Sequence, residues 1–183
     1  ALVDNMMIGM RDPLGVRPLI LGKLNNSYIL TSETCALDII GAEYIRDIEP
    51  GEMVLISENN VKCLRISEPL KSRFCIFEYI YFSRPDSVIN QKSVYNARKM
   101  IGTELARESK VSADLVIPVP DSGVPAALGY AQESGIRFEF GIIRNHYIGR
   151  TFIQPSQDAR SSGVMMKHNA NANIISGKDI ILV

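Results

Sequence analysis

The sequence predicts two fold classes in succession: an α+β region with a mostly antiparallel sheet, followed by an α/β region with a parallel sheet. Up to about residue 70, short apolar stretches alternate with turn signals, which is typical of strands joined by tight turns. After residue 73, helical periodicity alternates with short apolar runs in the order strand, helix, strand, which indicates a right-handed parallel unit. We therefore predict two domains, residues 1–72 and 73–183.

Four apolar runs predict the strands of the first domain. They lie at residues 6–10, 19–22, 28–30 and 53–56. Residues 25–26 and 58–60 supply turn-forming side chains between strands. One short helix is also expected in this region, with Ser32 as its N-cap and Gly41 at its end.

The second domain is predicted to open with an amphipathic helix that runs from Ser93 to about Ser109. Apolar residues recur there at three- and four-residue spacing, at Val94, Ala97, Ile101 and Leu105. Residues 115–120 then predict a buried strand, and residues 124–133 a helix closed by a glycine at position 135. Further strands are expected at residues 138–143 and 180–183.

Composition narrows the classes of function. The chain has 183 residues, of which 46% are hydrophobic, so it can form a buried core. Its 20 Lys and Arg balance 20 Asp and Glu, so no overall field favours nucleic acid or an anionic membrane as a partner. The three cysteines are odd in number and lack C-x-x-C spacing, which argues against a disulfide framework and favours the cytoplasm. No apolar run approaches the roughly 20 residues of a membrane-spanning helix.

Both ends of the chain indicate a piece of a longer protein. The sequence begins with Ala1 and stops at Val183, the last residue of a predicted buried strand. In open α/β sheets the ligand-binding loop follows the carboxyl end of such a strand. We therefore expect the next ligand-binding loop to lie beyond the C-terminal residue.

The first candidate site is the segment 118–123, between a predicted strand and a predicted helix. A helix N-terminus presents unpaired N–H groups, and Ser122 as N-cap with Gly123 behind it would let a phosphate or a hydrated cation approach the backbone. The alternative is that Asp121 and Ser122 only cap the helix, as such residues commonly do. Taken alone, the segment slightly favours capping.

The second candidate is the donor-rich segment 144–155, which follows a predicted strand. It contains two arginines, an amide, an imidazole, a phenol and a hydroxyl around Gly149, as a loop that closes over an anion would. A solvated surface loop is an equally good interpretation of the spacing. Residues 156–171 continue donor-rich and without a clear core stripe.

The third candidate is the aromatic run at residues 75–87. It can be a buried strand that ends in a polar turn, or it can place Tyr81 and Arg84 at a domain junction from which aromatic side chains exclude water. The run by itself does not decide between these interpretations.

Taken in order, these segments resemble the glutamine phosphoribosylpyrophosphate amidotransferase family. The resemblance covers nearly the whole chain, and it is carried by residues 11–19, 32–33, 46–52, 77–87, 120–122, 145, 147 and 149–153. Each motif is moderately specific, and the ordered set is very specific.

The resemblance implies the remnant of an N-terminal-nucleophile glutaminase sheet, followed by half of a type I phosphoribosyltransferase domain. In the family, glutamine-derived ammonia passes through an internal channel and displaces pyrophosphate from phosphoribosyl pyrophosphate. The product is 5-phosphoribosylamine, at the first step of purine biosynthesis. Implied partners are phosphoribosyl pyrophosphate, glutamine, inhibitory purine nucleotides and, at full length, further copies of the chain. Mg²⁺ is the implied cofactor, since catalysis needs charge stabilisation around the leaving group.

The resemblance also assigns residues. Ser122 falls on the magnesium position, and Tyr81, on a strand that couples the two sites, lies with Arg84 between the domains. Cys75 matches one ligand of a [4Fe-4S] cluster that one branch carries, with a buried thiol that binds no metal as the favoured alternative. The substrate-closing loop is assigned as Arg144, Asn145, His146, Tyr147, Gly149, Arg150 and Thr151.

Departures from the family pattern limit what these 183 residues are expected to do alone. Residue 1 is not the nucleophilic cysteine of the family, and the family's paired aspartates and phosphate loop would follow Val183. We therefore expect no catalytic residue in this chain, and neither glutamine hydrolysis nor phosphoribosyl transfer by it alone. His146 and Ala172 replace common arginines. Alternatives are a non-catalytic phosphoribosyl-pyrophosphate sensor and a structural remnant. The segments 120–122 and 149–151 argue against a glutamine-fructose-phosphate transamidase.

Overall fold

The computed structural model describes residues 1–58, 60–68, 70–149 and 155–183. Contacts divide the chain into two compact units, Ala1–Tyr95 and Asn96–Val183. The boundary predicted at residues 72/73 separates two domains by the pattern of the sequence, whereas the two units are defined by contacts within the folded chain. That boundary therefore stays a prediction.

Among its described residues, the first unit contains two antiparallel sheets, a short ribbon, the helix α1, a π-helical turn (Glu78–Phe82) and the start of a further helix. One sheet has the strand order β1-β2-β6-β7 and the other β4-β3-β5. All neighbouring strands in both sheets pair antiparallel, which confirms the prediction for this region. The elements are β1 (Leu2–Val3), β2 (Met6–Met10), β3 (Ile20–Leu24), β4 (Ser27–Thr31), α1 (Thr34–Ile40), β5 (Glu43–Asp47), β6 (Glu52–Ser57), β7 (Asn60–Arg65), β8 (Val88–Ile89) and β9 (Lys92–Ser93).

The core of the first unit forms between its two larger sheets. Val54 and Ile56 of β6 are buried together with Leu21 of β3 and with Ile48, and Leu30 of β4 packs against this cluster. Burial of four such side chains stabilises the unit by several kcal/mol, at about 1.5–3 kcal/mol each. This explains why alternating apolar positions predicted the strands correctly.

Helix α1 begins one residue later than the capping prediction requires. The N-cap position is Glu33 and not Ser32, while Gly41 ends the helix in the left-handed conformation as predicted. The hydroxyl of Thr31 accepts the N–H of Glu33 at 3.4 Å, so the turn before the helix is organised by Thr31. The side chain of Glu33 is therefore available for other contacts.

The aromatic run at residues 75–87 is not a strand, and the strand interpretation for Tyr81 is wrong. Residues 78–82 form the π-helical turn, in which Glu78 is 2% exposed. Arg17 forms an ion pair with Glu78, and Ser83 donates to it at 2.5 Å. A buried carboxylate with these partners draws the backbone into a helical turn, since a strand would carry Glu78 and Ser83 apart.

The second unit combines helices with a three-stranded parallel sheet and a two-stranded antiparallel ribbon. The sheet order is β11-β10-β14, and β12 pairs with β13. Helix α2 begins at the end of the first unit and continues along the chain into the second. The elements are α2 (Val94–Glu108), β10 (Leu115–Ile117), α3 (Val124–Ser134), β11 (Arg137–Phe138), β12 (Ile142–Arg144), α4 (Gln157–Lys167), β13 (His168–Ala170), α5 (Ala172–Ile175) and β14 (Ile180–Leu182).

The helices α2 and α3 and the strands β10 and β14 follow the prediction, while other parts of the second domain differ from it. The expected strand at residues 138–143 is divided into β11 and β12, which belong to different sheets. The side chains of Ile117 and Ile175 crowd the position where Gly141 would carry a Cβ, so the chain turns there. The helix α4 was not expected, because among its described residues only Gly163 is buried and no apolar stripe marks it.

Strand β10 is the centre of the parallel sheet. Its three residues are fully buried, and they pair in parallel register with β14, from Leu115 opposite Ile180 to Ile117 opposite Leu182. β11 pairs with β10 on its other edge, also parallel. The strand before Asp121 and the last strand of the chain are therefore parallel neighbours, which confirms the predicted parallel sheet.

Helices α2 and α3 approach each other through glycines. A Cβ on Gly129 would lie 1.9 Å from the carbonyl oxygen of Lys99, and a Cβ on Gly102 would lie 1.8 Å from that of Ala126. Only hydrogen fits at these two positions, so the backbones of the two helices are nearly in contact. Among the described residues, no helix combines the length and the apolar character that crossing a membrane requires.

We predict that Gly129→Ala destabilises the chain by about 2–4 kcal/mol, because the methyl group forces the two helices apart. The measurement is the free energy of unfolding in urea. Gly149→Ala is the matched control, since no described atom lies within 4 Å of its Cβ position. Equal stability of the two variants would contradict the close helix packing.

The ion pair of Arg46 with Glu52 predicts an acid-sensitive step in stability. Two guanidinium nitrogens of Arg46 donate to the Glu52 carboxylate at 2.8 and 2.6 Å, and the N–H of Glu49 donates at 2.8 Å. The Arg46 hydrogen bonds lower the pKa of Glu52 to about 2. A lowered pKa in the folded state stabilises the fold above the ordinary pKa of Glu, and this stabilisation is lost as the pH falls towards 2.

Glu52→Gln is therefore expected to reduce stability by about 2 kcal/mol at pH 7, after allowance for the partly exposed Arg46, and by less at pH 3. Urea unfolding at both pH values measures the effect. Glu43→Gln, which changes an exposed carboxylate on β5, serves as the control. A Glu52 variant that loses the same stability at both pH values would contradict the assignment.

Candidate functional site

The candidate site lies at the carboxyl end of the parallel sheet in the second unit. The loop after β10 is held against the end of β14 by backbone hydrogen bonds. The N–H of Val119 donates to the carbonyl of Val183 at 2.6 Å, and the N–H of Val183 donates to the carbonyl of Ile117 at 3.0 Å. The ends of two parallel strands therefore meet in one place, where ligands of open α/β sheets bind.

Gly123 allows this close approach. A Cβ at that position would lie 2.5 Å from the carbonyl oxygen of Val183. Gly123 is also the N-cap residue of α3, so the prediction that Ser122 caps this helix is wrong. The hydroxyl of Ser122 is exposed and free of a capping role, because the helix begins two residues after it.

Asp121 and Arg144 form an ion pair at this site. The Nη1 of Arg144 donates to the carboxylate of Asp121, and these side chains are 31% and 55% exposed, respectively. Arg144 is the last residue of β12, where it pairs with His168 of β13. Its Nε is buried and has no hydrogen-bond partner among the described residues. The guanidinium thus retains donor capacity beyond the pair with Asp121.

The segment after Arg144 turns sharply and exposes its side chains. The side-chain oxygen of Asn145 accepts the N–H of Tyr147 at 3.0 Å, and the carbonyl of Asn145 accepts the N–H of Ile148 at 3.3 Å. His146 is exposed, and Tyr147 is 98% exposed. Gly149 has no described neighbour within 4 Å of its Cβ position. Arg150 and Thr151, also assigned to this loop, lie outside the described residues.

The last residue of helix α4 returns the chain to the segment that follows Arg144. The hydroxyl of Ser156 accepts the N–H of Ala159 at 3.2 Å, and Asp158 and Lys167 lie in the first and last turns, where their charges complement the helix dipole. The carbonyl of Lys167 accepts the N–H of Asn145 at 2.7 Å. These capping residues are a signal for α4 in the sequence, where no apolar stripe marks the helix.

The other predicted site residues lie in the first unit. Tyr81 is 69% exposed on the π-helical turn. Arg84 donates to both oxygens of Asp86, at 3.0 and 2.7 Å. The N–H of Cys75 donates to the carbonyl of Val16 at 3.0 Å, and the thiol is free and partly buried. The structure therefore brings Asp121, Ser122 and Arg144 together in the second unit. Tyr81, Arg84 and Cys75 belong to the first unit.

The metal assignments differ in how well the residues fit them. In the part of the chain that the structure describes, no three His, Cys, Asp or Glu side chains are placed to hold a metal ion. Mg²⁺ commonly takes only one or two protein oxygens and the rest from water and substrate phosphates, so Asp121 and Ser122 fit it. A [4Fe-4S] cluster takes about four thiolates, and the three cysteines here do not come together. Cys75 as one of several ligands stays a prediction.

The chain is similar to amidophosphoribosyltransferases along its whole length. It is 54% identical to the enzyme of Rhizobium etli over 188 aligned residues, which covers 100% of this chain and 38% of that protein. It is 48% identical to the enzyme of Archaeoglobus fulgidus, with 100% and 40% covered, and 48% identical to that of Bacillus subtilis, with 100% and 38% covered. No family model matches the chain.

Solved structures agree with the sequence comparison. The glutamine phosphoribosylpyrophosphate amidotransferase of B. subtilis, solved with ADP and GMP, superposes with a TM-score of 0.88 at 48% identity over 99% of this chain. A structure described as the allosteric regulatory enzyme of purine biosynthesis superposes with a TM-score of 0.89 at 48% identity. The chain corresponds in sequence and fold to part of an amidophosphoribosyltransferase. It spans about two fifths of the length of these relatives, consistent with a central segment.

Proposed function

We propose that this chain is the central part of an amidophosphoribosyltransferase. The whole protein would transfer glutamine-derived ammonia to phosphoribosyl pyrophosphate and form 5-phosphoribosylamine. Residues 1–72 would belong to its N-terminal-nucleophile glutaminase domain and residues 73–183 to its type I phosphoribosyltransferase domain. The observation that carries the proposal is the parallel pairing of β10 with β14, which brings Asp121 and Ser122 to the edge where a pyrophosphate would bind.

Arg144 supports the same proposal through its charge and position. Its guanidinium is bound to Asp121 by one nitrogen, and its side chain is 31% exposed, so its positive charge can also attract a second anion. Guanidinium groups bind phosphate oxygens with two parallel hydrogen bonds, so Arg144 can contribute to holding the pyrophosphate. Asn145, His146 and Tyr147 follow it with exposed polar groups that can contact the substrate as the loop closes.

Asp121 and Ser122 are the residues that would hold Mg²⁺. Bound there with the substrate, the ion supplies neutralisation of the charge that develops on the departing pyrophosphate. The carboxylate of Asp121 is otherwise unfavourable beside a pyrophosphate, because both are negative.

We also propose a cytoplasmic setting, supported by three free cysteines, and regulation by purine nucleotides, supported by the nucleotide complex of the B. subtilis relative.

A chimera tests the proposed function. Residues 1–183 replace the corresponding stretch of the B. subtilis enzyme, and phosphoribosylamine formation is measured with glutamine and, separately, with ammonium as the nitrogen source. We expect both reactions within about tenfold of the parent, a loss of about 1.4 kcal/mol in transition-state stabilisation or less. A folded chimera with neither reaction would exclude the proposal.

Calorimetric titration of the 183-residue chain tests binding directly and separates the alternatives. Binding of phosphoribosyl pyrophosphate that requires Mg²⁺ is expected if the site at Asp121 is formed in this chain. A structural remnant would bind neither compound. A sensor would bind the ligand while its chimera forms no product with either nitrogen source.

Asp121→Asn provides a sharper test of the same site. Without Mg²⁺, we expect pyrophosphate to bind the variant about fivefold more tightly, because Arg144 is released and a negative charge is removed, a gain on the order of 1 kcal/mol for a half-exposed pair. The strengthening of binding by Mg²⁺ is expected to be largely lost. Asp4→Asn, on an exposed turn, should change neither quantity. Weaker binding without Mg²⁺ would show that Arg144 does not reach the anion.

A further inference from the structure

Glu33 directly precedes α1, and one of its carboxylate oxygens accepts hydrogen bonds from a distant segment. Its Oε2 accepts the backbone N–H of Arg84 at 2.8 Å and the hydroxyl of Ser87 at 2.7 Å. The thiol of Cys35 lies 3.7 Å from the same oxygen. Ser87 is fully buried. A single oxygen therefore joins the start of α1 to residues 84–87.

A second contact fixes the far end of the same segment. The hydroxyl of Thr34, the first residue of α1, accepts the N–H of Val88 at 2.8 Å. Two consecutive side chains, at positions 33 and 34, thus bind both ends of the segment 84–88. The contacts cross the proposed domain boundary, because α1 belongs to the glutaminase part and residues 84–88 to the transferase part.

The segment 84–88 in turn holds the first turn of α2. The carbonyl of Ser87 accepts the N–H of Val94 at 3.0 Å, and the carbonyl of Pro85 accepts the N–H of Tyr95 at 3.0 Å. The first N–H groups of a helix have no partner within the helix, so these bonds satisfy two of them. A continuous series of hydrogen bonds leads from Glu33 through Ser87 to the start of α2.

The donors around Glu33 are neutral: a backbone amide, a hydroxyl and a thiol. Burial raises the pKa of Cys35, which keeps its thiol protonated as a donor. The contact thus needs an acceptor oxygen at the correct reach and does not need a negative charge. Removing the oxygen would take away the carboxylate acceptor of the fully buried Ser87 hydroxyl and leave it only the weaker contact with the Cys35 thiol.

We propose that Glu33 is a positioning residue, which fixes residues 84–88 and the first turn of α2 and thereby supports the glutamine-driven reaction. The proposal rests on the proposed function, with Tyr81 and Arg84 lying between the two domains as the family resemblance implies. Glu33 does not contact the substrate. It acts through the segment that carries Arg84.

Hydrogen exchange on the 183-residue chain tests the anchoring independently of activity. Glu33→Ala should lower the protection of the amides of Arg84, Val88, Val94 and Tyr95 at least tenfold. Glu33→Gln should retain most of it, since its amide oxygen can take the place of Oε2. Asp38→Ala, which removes an exposed carboxylate from the same helix, is the matched control. Unchanged protection in Glu33→Ala would overturn the anchoring.

The chimera with the B. subtilis enzyme tests the role in the reaction. Glu33→Ala should reduce the glutamine-dependent rate at least tenfold and the ammonia-dependent rate less than threefold, whereas Glu33→Gln and Asp38→Ala should keep the ratio of the two rates. Loss of both rates in equal proportion would show a structural role only and overturn the proposal.

Glu33→Asp gives a second variant if the alanine substitution prevents folding. Its shorter side chain keeps the charge but moves the carboxylate oxygen away from Arg84 and Ser87. The ratio of the glutamine-dependent rate to the ammonia-dependent rate should therefore fall as for Glu33→Ala. A ratio unchanged in Glu33→Asp would overturn the proposal. If the unsubstituted chimera forms no product from either nitrogen source, the proposed function fails, and hydrogen exchange still decides the anchoring.

Discussion

The parallel pairing of β10 with β14 is the constraint on which the candidate site depends. The two strands pair over three residues. The loop between β10 and α3 can contact Val183 because this register places the ends of the two strands side by side. A shift of one residue would reverse which side chains of β10 face each neighbouring layer, and its three fully buried residues would lose their packing. Burial of this strand therefore determines where Asp121 and Ser122 lie.

Packing of α3 on the sheet restricts the site further. Ala127, Tyr130 and Ala131 of α3 are buried with Val116 of β10, so the start of the helix has little freedom to move away from the strand end. The ion pair of Asp121 with Arg144 then joins the loop after β10 to the end of β12. A site built on a strand, a helix and a paired ribbon is more rigid than one built on a free loop, which suits a role in binding pyrophosphate.

The segment 70–95 belongs to the first compact unit, although the predicted domain boundary lies at residues 72/73. Leu70 and Cys75 donate backbone hydrogen bonds to Pro13 and Val16, and the carboxylates of Glu33 and Glu78 fix the residues that follow. The sequence change near residue 72 reflects composition and periodicity, whereas compactness follows from these bonds between residues far apart in the chain. Such bonds are not visible in local patterns.

The sequence by itself determined most of the strands, helices α1, α2 and α3, the antiparallel character of the first half and the parallel sheet of the second, but not α4 or the division between β11 and β12. These features follow from local periodicity and from glycines such as Gly41 and Gly135, which end helices in the left-handed conformation because they lack a Cβ. The ordered motifs also led to the family. Tertiary structure alone decided that Asp121 meets Arg144, that Glu78 is buried in a π-helical turn, and that Glu33 binds Ser87. Each of these contacts joins residues that are far apart along the chain and meet only in the folded structure. The sequence does not reveal which partner will compensate the burial of a charged side chain.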